Sequence, residues 1–436
     1  MPEFGRVSTI DVSAFDDGTA YVAVKRPLLG DRAPYVFRTR DFGKTWTKAV
    51  SGIRAEDYVH VVREDSTRRG LLYAGTQHGV YVSFDDGDSW SPLSLNLPDL
   101  PVVDLAIEDN ALAIATHGRG FYVLDDVAPL RQWGATTASA GGAVLFAPGV
   151  ATRSAGPATI QYRLDRPVTD LKVEIVDAQG RVARAFVSDS AARAAAAARA
   201  RAPQGGGGGG GRFGGGPAVP PPVTAGLHAI TWDLRYPSAT TFPGMILWGA
   251  TTNGPVAPPG RYTVRLTADG ATTTQPLVVR RHPLYADVTD ADLQAQFDLA
   301  LRIRDKVSEA NDAVVRIRAL KSQVAERLAA NSDAGLKTAG EKLTASLSAV
   351  EESIYQVRNQ SGQDPLNFPI RINNRLASLL AVVSAGDGRP IGNAEPIFAD
   401  LTRELKVETD RLARVLATEL VAFNAEARRA GVGEVR

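Results

Sequence analysis

The 436-residue sequence contains no cysteine and only five histidines. The absence of cysteine excludes structural disulfides, thiolate metal sites and a cysteine nucleophile. No apolar run reaches the roughly 18 residues that a membrane-spanning helix needs, so the sequence predicts no membrane span. No histidine has a partner at the spacing of a zinc-binding helix motif. We therefore predict no metal site and no cofactor.

The sequence also has no excess of positive or negative charge. Lysine and arginine total 49, aspartate and glutamate total 48, and the net charge is +1. Nucleic-acid binding needs a concentrated basic surface, so no nucleic-acid partner is predicted. The first five residues, Met1 to Gly5, lack a basic segment followed by an apolar stretch, and no signal peptide is predicted. The length predicts about three domains.

Two copies of one eight-residue pattern, S/T-x-D-x-G-x-S/T-W, organise the N-terminal part. Each copy follows an apolar, strand-like run. A short carboxylate accepts hydrogen bonds from nearby amides, glycine takes positive φ, and tryptophan covers the loop, so the pattern predicts a structural turn between strands. The conserved positions of the pattern are Thr39, Asp41, Gly43, Thr45 and Trp46 in the first copy, and Ser83, Asp85, Gly87, Ser89 and Trp90 in the second.

This pattern resembles the Asp-box of bacterial-neuraminidase-type repeats, which occurs in sialidases, in sortilin-type receptors and in many bacterial repeat proteins. In those families the box lies on the outer loops of a β-propeller, away from the ligand face. The resemblance therefore implies a fold and attaches no reaction to it.

The surrounding sequence is itself repetitive. Asp41 and Asp85 are 44 residues apart, which is the length of a four-stranded propeller blade. A third copy keeps its strands but ends at Leu124 to Val127 without the glycine and tryptophan. The repeats predict a partial propeller of about three blades in residues 1–135. Closure takes about 4 to 8 blades, so we expect missing N-terminal blades or another chain to cover two open apolar faces.

Residues 136–285 alternate between apolar and polar positions in short runs separated by turns, which predicts a β-sandwich. The stretch from Trp232 to Tyr236, with the later Pro258 to Tyr262, resembles the immunoglobulin-like module found after such propellers. An insertion at residues 188–223 consists mainly of Ala, Arg, Gly and Pro. Its composition predicts a disordered loop with at most a frayed helical turn.

Residues 286–436 change to helical periodicity. Thr289 and Asp292 form a capping-box-like start, and apolar residues then recur three and four apart from Leu293 to Leu328. Short connections between the helical segments predict an antiparallel four-helix bundle. The regular seam also leaves open a homo-oligomer formed through this helical tail.

The three parts together resemble the C-terminal portion of large bacterial sortilin-like or neuraminidase-repeat proteins, often labelled glycosyl hydrolases. The resemblance implies a periplasmic or extracellular location. Our first hypothesis is a non-catalytic binding or scaffolding protein with a protein or glycan ligand. The alternative is a sialidase-like glycoside hydrolase whose active site lies mostly in missing N-terminal blades. An oligomeric assembly factor is a third option. The arginine trio and tyrosine nucleophile of sialidases match no position here, so no catalytic residue is assigned.

The best candidate for ligand binding is the glycine-flanked loop from Thr116 to Phe121. His117 and Arg119 are expected to project from it, and His78 lies in the matching turn of the preceding repeat. A paired turn, with Arg119 bonding a carbonyl or Asp125, is the structural alternative.

Overall fold

The computed structural model describes residues 1–134, 141–201 and 220–436. These residues form several small antiparallel sheets followed by a C-terminal helical region. The chain divides into two compact units. Unit 1 comprises Met1–Gly149, Thr159–Pro167 and Thr224–Ile230, and unit 2 comprises Val150–Ala158, Val168–Val223 and Thr231–Arg436. The three-domain division with boundaries at 135/136 and 285/286 stays a prediction.

Three sheets follow one another at the start of unit 1, each built from strands that pair in chain order. The first contains β1 Arg6–Val12, β2 Ala20–Lys25, β3 Val36–Thr39 and β4 Thr47–Lys48. The second contains β5 Val59–Glu64, β6 Leu72–Thr76, β7 Gly79–Ser83 and β8 Ser91–Pro92. Among the described residues the third contains three strands, β9 Val102–Glu108, β10 Ala111–Thr116 and β11 Phe121–Leu124, and helix α1 Ala128–Gln132 follows it.

The strand register repeats from sheet to sheet. Ile10 pairs with Val22, Val62 with Ala74, and Leu105 with Ile114. The pairing shifts at one equivalent place near the start of β1, β5 and β9. Apolar side chains bury the space between the first and second sheets and between the second and third. The three sheets are therefore copies of one structural unit packed side by side.

Two further sheets follow. Their strands are β12 Ala143–Leu145, β13 Ala151–Thr152, β14 Ala158–Leu164, β15 Leu171–Val176, β16 Val182–Ser188, β17 Gly226–Trp232, β18 Gly260–Ala268 and β19 Ala271–Arg280. The fourth sheet has the order β12–β14–β17, and the fifth has the order β13–β19–β18–β15–β16. In the fifth sheet β13 and β19 pair in parallel and the other neighbours are antiparallel.

The predicted disordered insertion at 188–223 is corrected in its first part. Ser188 ends β16, and helix α2 spans Ser190–Arg201. Alanine and arginine have high helix propensity, and the Asp189 carboxylate accepts the Ala192 N–H at 2.6 Å at the helix start. The glycine-rich part that carried most of the prediction, residues 202–219, lies outside the described residues.

Four helical segments form the C-terminal region. They are α3 Asp290–Ala330, α4 Ala334–Ile354, α5 Ile372–Val383, and α6 Ala394–Val415, which continues through a π-helical turn at Leu416–Leu420 into α7 Val421–Arg429. The capping box at Thr289 and Asp292 is confirmed. Helix α3 packs against α4, α5 and α6, and its seam from Leu293 to Val324 is buried. Self-association through that seam stays a prediction, and this burial counts against it.

Candidate functional site

The turns of the first three sheets lie at two opposite ends. The turns β3–β4 and β7–β8, which carry the two Asp-boxes, lie at one end, and we call it the box end. Antiparallel strands place the turns β2–β3, β6–β7 and β10–β11 at the other end, which we call the loop end. His78, His117 and Arg119 all belong to turns of the loop end.

The first box is a self-contained hydrogen-bonded turn. Asp41 accepts the Thr45 N–H at 2.8 Å and the Thr45 hydroxyl at 2.6 Å, and Thr39 Oγ1 accepts the Gly43 N–H at 2.9 Å. These bonds, led by the Thr45 hydroxyl, lower the pKa of Asp41 to about 2. Trp46 Nε1 donates to the Gly43 carbonyl at 3.1 Å. The carboxylate is therefore committed to holding the turn.

The second box repeats the carboxylate and hydroxyl bonds of the first, but its tryptophan bonds to another sheet. Asp85 accepts from Ser89 N at 2.8 Å, while Trp90 Nε1 donates to the Ala49 carbonyl of the first repeat at 3.0 Å. Asp86, beside the boxed aspartate, accepts hydrogen bonds from Tyr21 and Arg40 of the first repeat. The box end is thus occupied by structural contacts within and between sheets.

His78 lies beside a cavity of about 320 Å³ at the loop end. Its Nδ1 is 2.8 Å from Asp99 Oδ1, and both side chains are partly solvent-exposed. Arg54, Tyr81 and Leu97 contribute to the wall of the cavity. The cavity therefore combines an imidazole, a carboxylate and a guanidinium with apolar surface, a mixture suited to binding a polar ligand.

A second carboxylate near this cavity, Asp57, has no exposed surface. It accepts the His78 N–H at 3.1 Å and the Tyr81 hydroxyl at 3.2 Å, and Arg54 lies 3.7 Å away. Asp57 therefore positions the His78 turn, because both of its carboxylate oxygens accept hydrogen bonds from the protein itself.

His117 and Arg119 project from a neighbouring turn. Its backbone is fixed by the His117 N–H, which donates to the Pro101 carbonyl at 3.0 Å, and by the Thr116 hydroxyl, which donates to the Gly120 carbonyl at 2.7 Å. The side chains of both residues are exposed. Within the described ranges Arg119 makes no hydrogen bond or ion pair, so the alternative pairing with a carbonyl or Asp125 is not seen there.

The sequence gives no sign of a role for His60, which lies at the loop end near the start of β5. It occupies the extra position where the β5–β6 register shifts, and such bulges re-aim side chains. Lys25 Nζ is 3.0 Å from His60 Nδ1, and His60 Nε2 is 3.3 Å from Gln77 Oε1. Burial, followed by the charge of Lys25, lowers the pKa of His60. No sequence pattern marks a bulge residue, so the contacts of His60 with Lys25 and Gln77 could not be predicted from the sequence.

Metal-binding groups and membrane-spanning helices are both absent from the part of the chain that the structure describes. No group of three or more acidic or histidine side chains is placed to hold a metal ion. No helix in those same ranges is both long and apolar enough to cross a membrane.

No protein-family model matches the chain, and no curated protein matches its sequence. Solved structures provide distant matches to β-propeller proteins. YCF48 bound to D1 peptide is 13% identical over 41% of this chain and 52% of that chain, with a TM-score of 0.22. An ancestral GH74 enzyme is 14% identical over 42% and 27%, with a TM-score of 0.23.

The GH74 enzyme of Niastella koreensis is 11% identical over 63% of this chain and 46% of that chain, with a TM-score of 0.23. The present chain thus spans about half the length of the YCF48 structure and about a quarter of the ancestral GH74 enzyme.

Proposed function

We propose that the protein is a non-catalytic binding or scaffolding protein of the cell envelope or exterior, whose loop end presents a face for a protein or glycan ligand. In this proposal the first three sheets are blades of a partial Asp-box β-propeller. The strands of residues 136–285 form an immunoglobulin-like β-sandwich, and the C-terminal helices form an antiparallel four-helix bundle.

Equivalent positions in the three repeats support the propeller assignment. Ile10, Val62 and Leu105 share one register position, and they are 62%, 0% and 2% exposed. On the opposite face, Val80 is 1% exposed, whereas its counterpart Phe121 is 82% exposed. The same positions are thus buried wherever a neighbouring sheet exists and exposed at the two outer faces. We propose that further blades, from another segment or another chain, cover these faces.

The hydrogen bonds that Asp57 makes within the protein argue against hydrolysis at the His78 cavity and favour binding there. Glycoside hydrolysis needs two carboxylates facing each other across a cleft, roughly 5 to 9.5 Å apart. Asp99 is the carboxylate among the residues that line the His78 cavity, and the nearby Asp57 is fully buried and bonded to the protein. A single accessible carboxylate beside an imidazole suits ligand recognition better than this two-carboxylate chemistry.

A binding assay with envelope fractions tests the proposal. We expect the purified chain to bind immobilised envelope material, and we expect the triple variant His78→Ala, His117→Ala, Arg119→Ala to lose most of that binding. Lys44→Ala, at an exposed position of the box end, is the matched control and should bind normally. Protease or periodate treatment of the envelope material distinguishes a protein ligand from a glycan.

Two results would overturn the proposal. The first is equal binding by the triple variant and the Lys44→Ala control, which would place the binding face elsewhere. The second is turnover of fluorogenic sialosides or other glycosides by the protein, lost when residues 1–135 are deleted from it, which would favour the glycoside hydrolase.

A further inference from the structure

A second cavity, of about 280 Å³, lies at the loop end of the first sheet and is separate in its lining from the His78 cavity. Its walls differ in chemistry. Three cationic side chains line one part and large apolar side chains line another; they are Arg6, Lys25 and Arg26, and Phe4, Leu28 and Leu29. The charge of one wall and the apolar surface of the other indicate the chemistry of the ligand that the cavity can bind.

Arg6 and Lys25 are placed against each other by strand pairing. They are direct partners in the β1–β2 register, and like charges in that relation destabilise a sheet. Burial, followed by the charge of Arg6, lowers the pKa of Lys25. The contact of Lys25 with His60 supplies no negative charge, and Arg6 has no hydrogen bond or ion pair within the described ranges. The fold therefore holds two cations together without a carboxylate between them.

Arg26 adds a third cation, and only part of its guanidinium group has a partner in the protein. Its Nη1 lies 3.2 Å from Asp31 Oδ2. Its Nε is buried and, within the described residues, has no hydrogen-bond partner. Asp31 thus offsets one of the three cations at the cavity, and two positive charges remain without a neutralising group among the lining residues.

The apolar wall is as unusual as the cationic one. Phe4 is 87% exposed, Leu28 is 93% exposed, and Leu29 is more than half exposed. Single exposed apolar residues are common, but adjacent ones around a cavity mark an interaction site. Pro27 begins a short 3₁₀ turn that presents Leu28 and Leu29 beside the cations.

We propose that this cavity binds a small amphiphilic anion, with a carboxylate paired to Arg6, Lys25 and Arg26 and an alkyl chain lying against Phe4, Leu28 and Leu29. At about 280 Å³ the cavity is slightly smaller than the usual ligand pocket of about 300 to 1,000 Å³, so it suits a ligand with no more than a medium-length chain. An anion neutralises the charge that strand pairing concentrates, and an alkyl chain covers apolar surface that water now contacts. The site does not depend on the ligand proposed for the His78 face.

Calorimetric titration of the full chain with sodium octanoate tests this site. We expect saturable binding with one octanoate per chain. Acetate has the charge without the chain, and octylamine has the chain with the opposite charge; both should bind at least about tenfold more weakly. The same order should appear in the rise of the melting temperature, since a ligand specific for the folded state stabilises it.

Substitutions separate the two walls. Arg6→Gln lies on an exposed edge-strand position and should weaken octanoate binding at least about tenfold without lowering the melting temperature of the free protein, because it removes one of two opposed cations. Leu28→Ser should also weaken it, because the alkyl chain loses its contact. Arg32→Gln, an exposed arginine outside the cavity lining, is the control and should bind octanoate normally.

Absence of octanoate binding by the unmodified chain overturns the proposal. Equal affinity for octylamine, or unchanged affinity in Arg6→Gln, also overturns it, because either result would show adsorption to the general apolar surface, including the outer face that carries Ile10.

Discussion

Ile10 in β1 and Val62 in β5 occupy the same register position in successive sheets, yet Ile10 is 62% exposed and Val62 is completely buried. The first sheet covers Val62, and no described residue covers Ile10 in the same way. This register position is apolar in all three sheets. It is buried where a neighbouring sheet is present and exposed where none is present.

This difference predicts unequal effects of the same substitution. Ile10→Lys should change the free energy of unfolding of the purified chain by no more than about 0.5 kcal/mol, as exposed positions usually do. Val62→Lys should cost about 3 kcal/mol or more, because it buries a charge between two sheets. Urea unfolding measures both. Equal costs would show that Ile10 is covered in the purified protein.

The first Asp-box predicts an acid-dependent contribution to stability. The pKa of Asp41 is about 2 in the folded chain and 3.8 as its ordinary value. The folded state therefore binds the proton less readily than the unfolded state, and the stabilisation present above about pH 4 is lost as the pH falls towards 2. The melting temperature should fall more steeply over this range in the unmodified protein than in Asp41→Asn.

Asp17→Asn is the control for that experiment, since Asp17 is exposed and makes no hydrogen bond through its side chain within the described residues. Equal changes in the pH dependence of the melting temperature by Asp17→Asn and Asp41→Asn would contradict the role of Asp41 in the box turn.

The pair of Arg131 and Asp65 fixes helix α1 to the second sheet. Arg131 Nε lies 3.0 and 2.9 Å from the two oxygens of the buried Asp65, and Arg131 Nη1 donates to Asn110 Oδ1 at 2.7 Å. Arg131→Met leaves the buried Asp65 carboxylate without its ion pair, held by the N–H groups of Thr67 and Arg68, and should cost about 3 kcal/mol in urea unfolding. Adding Asp65→Asn should recover part of that loss. A double variant less stable than Arg131→Met would contradict this explanation.

In unit 2, Asn374 of α5 holds a long loop through two backbone contacts. Its Oδ1 accepts the Trp248 N–H at 2.7 Å, and its Nδ2 donates to the Trp248 carbonyl at 2.9 Å. Loss of both bonds costs about 1 kcal/mol each, so Asn374→Leu should raise the rate of chymotrypsin cleavage at Trp248 about tenfold or more. Asn367→Leu, at an exposed position, should leave that rate unchanged.

Much of the local structure was predictable because it depends on residues close in sequence. The bonds within the first box join residues at most four positions apart, and the start of α3 depends on Thr289 and Asp292 alone. Periodicity likewise predicted the buried seam of α3, because a helix places residues three and four apart on one face.

The remaining features depend on register and on contacts between distant residues. His60 reaches Lys25 only because a bulge shifts the β5–β6 register, and Arg131 meets Asp65 across 66 positions. Charge composition alone did not reveal the cavity at Arg6, because the neighbouring cations come together only through strand pairing and a turn. Helix α2 was underestimated because glycine and proline in the same insertion dominated its composition.

The absence of cysteine allows a direct test of the two outer faces. Single variants Ile10→Cys and Phe121→Cys, with Val62→Cys as the buried control, are reacted with a maleimide at high dilution in the purified 436-residue chain. The same variants, introduced at the natural gene, are reacted again in freshly lysed source cells, where any further segment or chain is present. If further blades cover these faces, both thiols react quickly in the purified chain and at least about tenfold more slowly in the lysate, while the Val62→Cys thiol is slow in both. Equally fast reaction in both settings would contradict the partial-propeller account.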